Sequence, residues 1–385
     1  MIDEPSGGDL SRLRQLNALS VLRVLRDEKP LTLTELARRT GLSRASTEDV
    51  ARELLARGWV SELAPEAGTV GRPARRYRFR ADAGRILGVD VGGHKVLAMV
   101  TDLEGAVLNA TRIGVSPKVG RRERLAAIYD CIAGTLAGAG VTPDQIWSTG
   151  VATTGLVDST GKVMLSDSVP EWTGVDLADH VRRLVPGPVR VENDCKLAAL
   201  AESWRGVARY AKNVVFLLAG LRTGAGLIID GKLHRGFANA AGEIGALPAA
   251  GWLRAPQNLY DCLGSGGDVE DVFLAARDGN RDAVRAVRGY VRDIAVGVSA
   301  LVLTLDPEIV VIGGGFSRSA DVLVEPLRRE LDRWCLRTPE IRVSEFGAEG
   351  VALGAVRLAL EATQYDADLS VSAMRPGRNS AELLT

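Results

Sequence analysis

At 385 residues the chain exceeds what one ordinary core of about 150 residues requires, so two or three domains are expected. Its 46% hydrophobic and 25% charged residues, balanced at 48 basic and 48 acidic, are those of a soluble globular protein. Four scattered cysteines without a CxxC pair and three histidines exclude a disulfide framework and a zinc cluster, and no uncharged apolar run nears the roughly 20 residues a membrane span needs. A reduced, cytoplasmic protein is expected.

Overall neutrality hides a split, since residues 1–80 carry 15 Lys/Arg against 11 Asp/Glu and the remainder 33 against 37. Residues 10–27, LSRLRQLNALSVLRVLRD, repeat apolar side chains at helical spacing, and LTLTELARRT follows as a second amphipathic segment. After the turn GLS comes SRASTEDVARELLARG, in which Ser43 is placed to cap a helix while Val50, Leu54 and Leu55 face inward. WVSELA and RRYRFR then alternate as short strands around PEAGTVGRPA. Helix, helix, turn, helix and a basic hairpin predict a winged helix-turn-helix over residues 10–80 that binds double-stranded DNA. Arg44, Ser46 and Thr47 would open the recognition helix in the major groove, and Arg72, Arg75 and Arg76, with Arg78 and Arg80, would supply the wing's phosphate contacts. The competing reading is a packing module whose arginines form a solvated strand surface.

From Arg85 the pattern changes. RILGVDVG, KVLAMVTDLEG and AVLNATRIGV read as neighbouring strands, and helical segments then interleave with IWSTGVATTG, PVRVEN, NVVFLLAG, GAGLIIDGKL and EIVVIGGG, predicting a large α/β domain. Asp90 ends a strand just before Gly92 and Gly93, a turn whose free N–H groups suit a phosphate. His94 and Lys95 are expected to be exposed turn residues. The tail after Tyr365 reads as poorly ordered.

The ordered series GVDVGGHK, GVATTGLVD, VENDCKLAALAE, GAGLIIDGKLHRGFANAAGEIGALP and EIVVIGGGFSRS, behind a winged helix, resembles the ROK family of repressors and sugar kinases over roughly residues 10–360. The resemblance implies an actin-like, ribonuclease H-like pair of lobes: a small one over 84–198 completed by a C-terminal helix at 349–364, and a large one over 199–348, with a sugar between them. Asn193 and Asp194 match the family's sugar-gripping Asn-Asp, Asp194 being the base in a kinase; Glu243 matches another hydroxyl acceptor and Gly155 a backbone that lines the sugar. Bottom-up, Asp194 could equally cap the helix that starts at Cys195.

Two departures weaken the kinase reading. Family kinases carry GTGxGxG where this chain has GLRTGAG, so Leu221 and Arg222 replace the threonine and second glycine; a non-glycine residue is strained there if that glycine has positive φ. Asp90, Gly92, Gly93, Gly224 and Gly314 would then be a vestigial nucleotide site. The family's zinc-binding histidine and cysteine loop are also missing: Ala246 stands at the histidine, Cys262 is alone, Asp261 could supply an acceptor, and Trp252 and Leu259 could hold the loop by apolar packing. The expectation is a sugar-responsive transcriptional repressor without catalytic activity, cofactor or metal, working as a homodimer or homotetramer on an operator. The alternative is an ATP-dependent hexose kinase with a DNA-binding head.

Overall fold

The computed structural model describes residues 10–27, 30–64, 75–263 and 267–369. The head comprises α1 (Leu10–Asp27), β1 (Leu31–Thr32), α2 (Leu33–Thr40), α3 (Arg44–Ala56), β2 (Val60–Leu63) and β3 (Arg76–Phe79), its strands ordered β1-β3-β2. Local chemistry sets these boundaries. Thr32 and Glu35 form a reciprocal capping box on α2, Gly41 ends that helix at φ 72°, and the Ser43 hydroxyl accepts the Ser46 N–H at the start of α3. Alternation along β3 buries Tyr77 and Phe79 and turns Arg78 outward.

Two lobes follow. The small lobe contains β4 (Arg85–Val91), β5 (Lys95–Thr101), β6 (Val107–Gly114), α4 (Arg121–Ala139), β7 (Ile146–Thr153), β8 (Leu156–Val157), β9 (Val163–Leu165), α5 (Leu177–Arg182) and β10 (Val189–Asn193). After α6 (Asp194–Arg205), the large lobe contains β11 (Val214–Leu218), β12 (Gly224–Ile229), β13 (Lys232–Leu233), α7 (Ala255–Leu263), α8 (Val269–Arg277), α9 (Arg281–Leu305), β14 (Ile309–Gly313), α10 (Ala320–Trp334) and β15 (Glu340–Val343), and α11 (Gly350–Leu369) closes the fold. The sheets run β10-β7-β4-β5-β6 and β15-β14-β11-β12-β13. In each, three antiparallel strands are extended on the other side by two parallel ones, so the hairpin turn β4–β5 in one lobe corresponds to β11–β12 in the other.

The lobes have separate cores, one led by Trp172, Ile128 and Val89 and the other by Phe273, Tyr290 and Val298. They are joined where α6 crosses α11, with Leu197 and Leu200 packed on Ala355 and Leu358. A Cβ on Gly354 would collide with the Leu197 carbonyl, so the crossing is as close as backbone permits. The lobe boundary expected between 198 and 199 therefore falls inside one helix, because α6 starts in the cleft and ends beneath the large lobe's sheet. At the C-terminus, α11 continues through Leu369, past the expected end of order at Tyr365; residues 370–385 lie outside the described residues.

The head's core is continuous with that of the small lobe. Val21, Leu36, Val50, Tyr77 and Phe79 belong to one cluster with Ile86, Met99 and Leu103 of the small lobe and Val356, Ala359 and Leu360 of α11. Trp59 meets Trp147 edge to face with centroids 4.8 Å apart, and the Arg26 guanidinium donates to the Leu103 carbonyl at 3.0 Å. Among the described residues no helix is long and apolar enough to cross a membrane.

Candidate functional site

β10 delivers Asn193 to the gap between the lobes. Its Oδ1 accepts the N–H groups of Cys195 and Lys196 at 2.9 and 3.2 Å, making Asn193 the N-cap of α6, and its Nδ2 donates to the Gly155 carbonyl at 3.1 Å. Gly155 lies at φ 95°, and a Cβ there would strike the Leu165 carbonyl, so this turn requires glycine. Asn193 thus performs the capping weighed above for Asp194, whose Oδ1 only adds a second acceptor for the Cys195 N–H at 2.8 Å. The Asp194 carboxyl is pushed up to about 7, first by burial, then by Asp90, with Glu243 adding to the repulsion. Glu243, just before the short 3-10 turn Ile244–Ala246, is raised by desolvation where its carboxyl faces the cleft, against the pull of Lys196. Gly155, Asn193, Asp194 and Glu243 are therefore brought together as acceptors at one corner, an arrangement suited to hydroxyl donors.

Four further residues build this corner without having been expected. Glu192, buried beside Asn193, accepts from the Arg235 guanidinium at 2.6 Å and from the Asn193 N–H at 2.9 Å. Lys196 donates to the Asn239 carbonyl, and Asn239, held at φ 57°, donates its side-chain amide to the Val157 carbonyl at 3.0 Å. The segment carrying Glu243 is thereby strapped to the small lobe. A buried charge next to the cap was the available signal, but its partner lies 43 residues away in sequence.

The two corresponding hairpin turns each carry a cation. Lys95 is not a free turn residue as expected: its ammonium lies 2.9 Å from the buried Asp90 carboxylate and donates to the Ala348 carbonyl at 2.5 Å. Burial raises the Asp90 pKa and Lys95 opposes that rise. Beneath the same turn, the wholly buried Arg124 donates to the carbonyls of Gly92 (2.5 Å) and Gly93 (3.3 Å), orienting the glycine pair. In the second turn, Arg222 escapes the expected strain, for it is absent from the described non-glycine residues with positive φ, Glu171, Asp230, Asn239 and Asp306. Its Nη2 crosses the gap and donates to the Asp167 carbonyl at 3.2 Å.

Other expected residues have structural work. A Cβ on Gly224 would collide with Cys195 Sγ and one on Gly314, at φ 85°, with the Ala219 carbonyl, so both glycines serve close packing. Asp261 is exposed on α7 and accepts from Gln257 at 2.6 Å; no described hydrogen bond or ion pair joins it to the Asn193 corner. Trp252 and Leu259 are buried in the large-lobe core, with Trp252 Nε1 donating to the Ile294 carbonyl at 3.0 Å. Among the described residues no group of three or more His, Cys, Asp or Glu side chains is placed to hold a metal ion. A separate cavity of about 830 Å³ between α4 and α5, lined by Arg121, Tyr129 and His180 among others, shares none of the corner residues.

On the head, α3 exposes Arg44, Ala45, Glu48, Asp49 and Arg52. Ser46 is half-buried and bonded to the cap residue Ser43, and Thr47 is 0% exposed with its hydroxyl on the Ser43 carbonyl at 2.9 Å. Thr47 therefore belongs to the core, contrary to expectation, because it falls one position too far round the helix. Arg76 is likewise committed, its guanidinium donating twice to the Pro30 carbonyl at 3.1 and 2.7 Å. Arg75 is exposed and paired with Glu62 at 3.1 Å. Arg72 lies outside the described residues.

Known proteins extend this picture. Residues 86–270 and 254–362 match the ROK family, and residues 16–64 match the IclR helix-turn-helix domain. A xylose repressor of Caldicellulosiruptor bescii is 25% identical over 389 residues, covering 92% of this chain and 97% of its own. A glucokinase of Streptomyces coelicolor is 28% identical over 318 residues, covering 72% of this chain and 98% of its own. Among solved structures, a ROK family transcriptional regulator described as a homolog of the E. coli MLC protein superposes with a TM-score of 0.75 at 22% identity, covering 93% of this chain and 98% of that one.

Proposed function

The chain belongs to the ROK family, and from that premise we propose that it is a sugar-responsive DNA-binding transcriptional repressor. One observation carries the reading: the acceptor-rich corner of Gly155, Asn193, Asp194 and Glu243 opens at the start of α6, whose other contacts lead through α11 to a helix-turn-helix head. Asp194 and Glu243 accept sugar hydroxyls, while Asn193 fixes the Gly155 turn and offers its remaining N–H. On the head, Arg44 reads the major groove, and Arg75 and Arg78 meet phosphates. Paired heads in a symmetric cytoplasmic homo-oligomer would read a palindromic operator.

Catalysis is disfavoured by both hairpin turns. Lys95 neutralises Asp90, and Arg222 stands in the second turn where a phosphate cradle would need unobstructed backbone N–H groups. One observation favours the kinase alternative: a carboxyl near 7 is suited to take a proton from a hydroxyl. ATP turnover in the presence of a hexose, abolished by Asp194→Ala, would establish that alternative.

The test of the repressor reading uses operator duplex selected from random sequence by repeated binding, with fluorescence anisotropy read with and without sugars. Asp194→Asn should leave operator affinity unchanged and abolish the sugar effect. Loss of operator affinity with an intact sugar effect would refute the cleft assignment.

A further inference from the structure

The charges around the corner do not balance residue by residue. Lys95 is matched by buried Asp90 and Arg235 by buried Glu192, while Lys196 is buried against the Asn239 carbonyl beside Glu243. Arg222 differs. It is exposed, it sits in the hairpin turn that corresponds to that of Lys95, and its sole described bond is the one from Nη2 to a backbone carbonyl. Its other guanidinium N–H groups have no partner among the described residues.

The position of that guanidinium connects it to the corner. Asp167, which it reaches, follows Ser166; Ser166 Cβ borders the Gly155 turn, and Ser168 shares a hydrogen bond of 2.8 Å with Thr154. The Ser166 hydroxyl is itself buried without a partner. The Arg222 guanidinium thus rests on the 166–168 segment that flanks the Gly155 turn of the corner, and its planar fork fits a carboxylate or phosphate.

We infer that the effector is a sugar bearing an anionic group, a phosphate or a carboxylate, and that Arg222 is the residue that selects for that charge. The inference rests on the sugar-binding reading of the corner and adds the ligand's chemical class. Arg222 also ties the lobes together through Asp167, so an anion that recruits the guanidinium acts where one lobe faces the other.

Isothermal titration calorimetry on the full chain tests this with three arms: hexoses and N-acetylhexosamines, their 6-phosphates, and the corresponding uronates. At least one anionic arm should bind more tightly than its neutral parent, and which of the two does so identifies the charged group. Arg222→Gln should weaken the anionic sugar by about tenfold or more, leave the neutral parent unchanged, and remove the preference; Arg222→Lys should restore part of it. The preference should also shrink with added salt. Neutral sugars that bind in an Asp194-dependent way, with phosphate or carboxylate weakening them and Arg222→Gln changing nothing, would overturn this inference and leave the sugar reading standing. If no sugar in any arm binds, both fall.

Discussion

Asp194 shows how one residue's surroundings can be tested without knowing its ligand. Its carboxyl is held near 7 instead of its usual value close to 4, because burial and the neighbouring Asp90 and Glu243 oppose the charged form. The folded chain therefore holds this proton more tightly than the unfolded chain does, and folding is penalised progressively as pH rises from about 4 to about 7. Asp194→Asn removes the penalty. The variant should be more stable than the parent at pH 8, by up to about 4 kcal/mol at roughly 1.4 kcal/mol per unit between about 4 and about 7, and should lose most of that advantage at pH 4; urea denaturation at both values measures it. Equal stabilisation at the two pH values would mean that the carboxylate is not the cause. Lys95 and Arg222 mark the limit of reading such residues from sequence. Each stands beside glycines in a turn, as loose surface residues do; Lys95 is paired across its own hairpin with Asp90 and with the distant Ala348 carbonyl, and Arg222 gains its bond only from the distant Asp167.

At the scale of elements, most of the architecture is legible because the signals are local. Ser43 before an apolar periodic run, Gly41 closing α2 and the alternation of β3 all follow from chain-neighbour chemistry. What escapes is rotation about an axis. Arg44, Ser46 and Thr47 were grouped by proximity in sequence, yet the turn of α3 points Arg44 outward and buries Thr47, while Arg78, expected only as general wing charge, takes the exposed place that Arg76 does not. Arg44→Ala and Arg78→Ala should therefore weaken operator binding, Arg78→Ala also reducing the slope of log affinity against log salt by about 0.9 for the one phosphate it meets and Arg44→Ala relaxing the preference between bases, whereas Thr47→Val should leave the salt slope unchanged. Anisotropy titrations over a salt series distinguish them. The α6–α11 crossing makes a second demand. A methyl group at Gly354 has only the Leu197 backbone to displace, so Gly354→Ala should lower stability by about 1–3 kcal/mol, seen as a reduced urea midpoint.

For the molecule as a whole, the question is how an occupied cleft would be felt at DNA. α11 has two working faces: Ala355 and Leu358 pack on α6, whose first residue is Asp194, and Ala352, Val356, Ala359 and Leu360 lie in the cluster that contains the head's Val21, Leu36 and Phe79. Interiors packed this closely move as units and do not deform smoothly. A rearrangement of the lobes about α6 would thus carry the head with the small lobe, altering the placement of α3 relative to a symmetry mate. Coupling of this kind is commonly worth about 1–3 kcal/mol, a factor of roughly 5–150 in operator affinity. The Trp59–Trp147 contact is where it should fail first, because it joins head to lobe directly and touches neither α3's exposed face nor the Asn193 corner. Trp147→Ala should leave sugar affinity and basal operator affinity close to those of the parent while shrinking the sugar-dependent change in operator affinity toward none. Sugar titration by calorimetry and operator titration with and without saturating sugar provide the three quantities. If the change survives intact in Trp147→Ala, the head does not ride on the small lobe, and the signal must instead travel through α1 against α11.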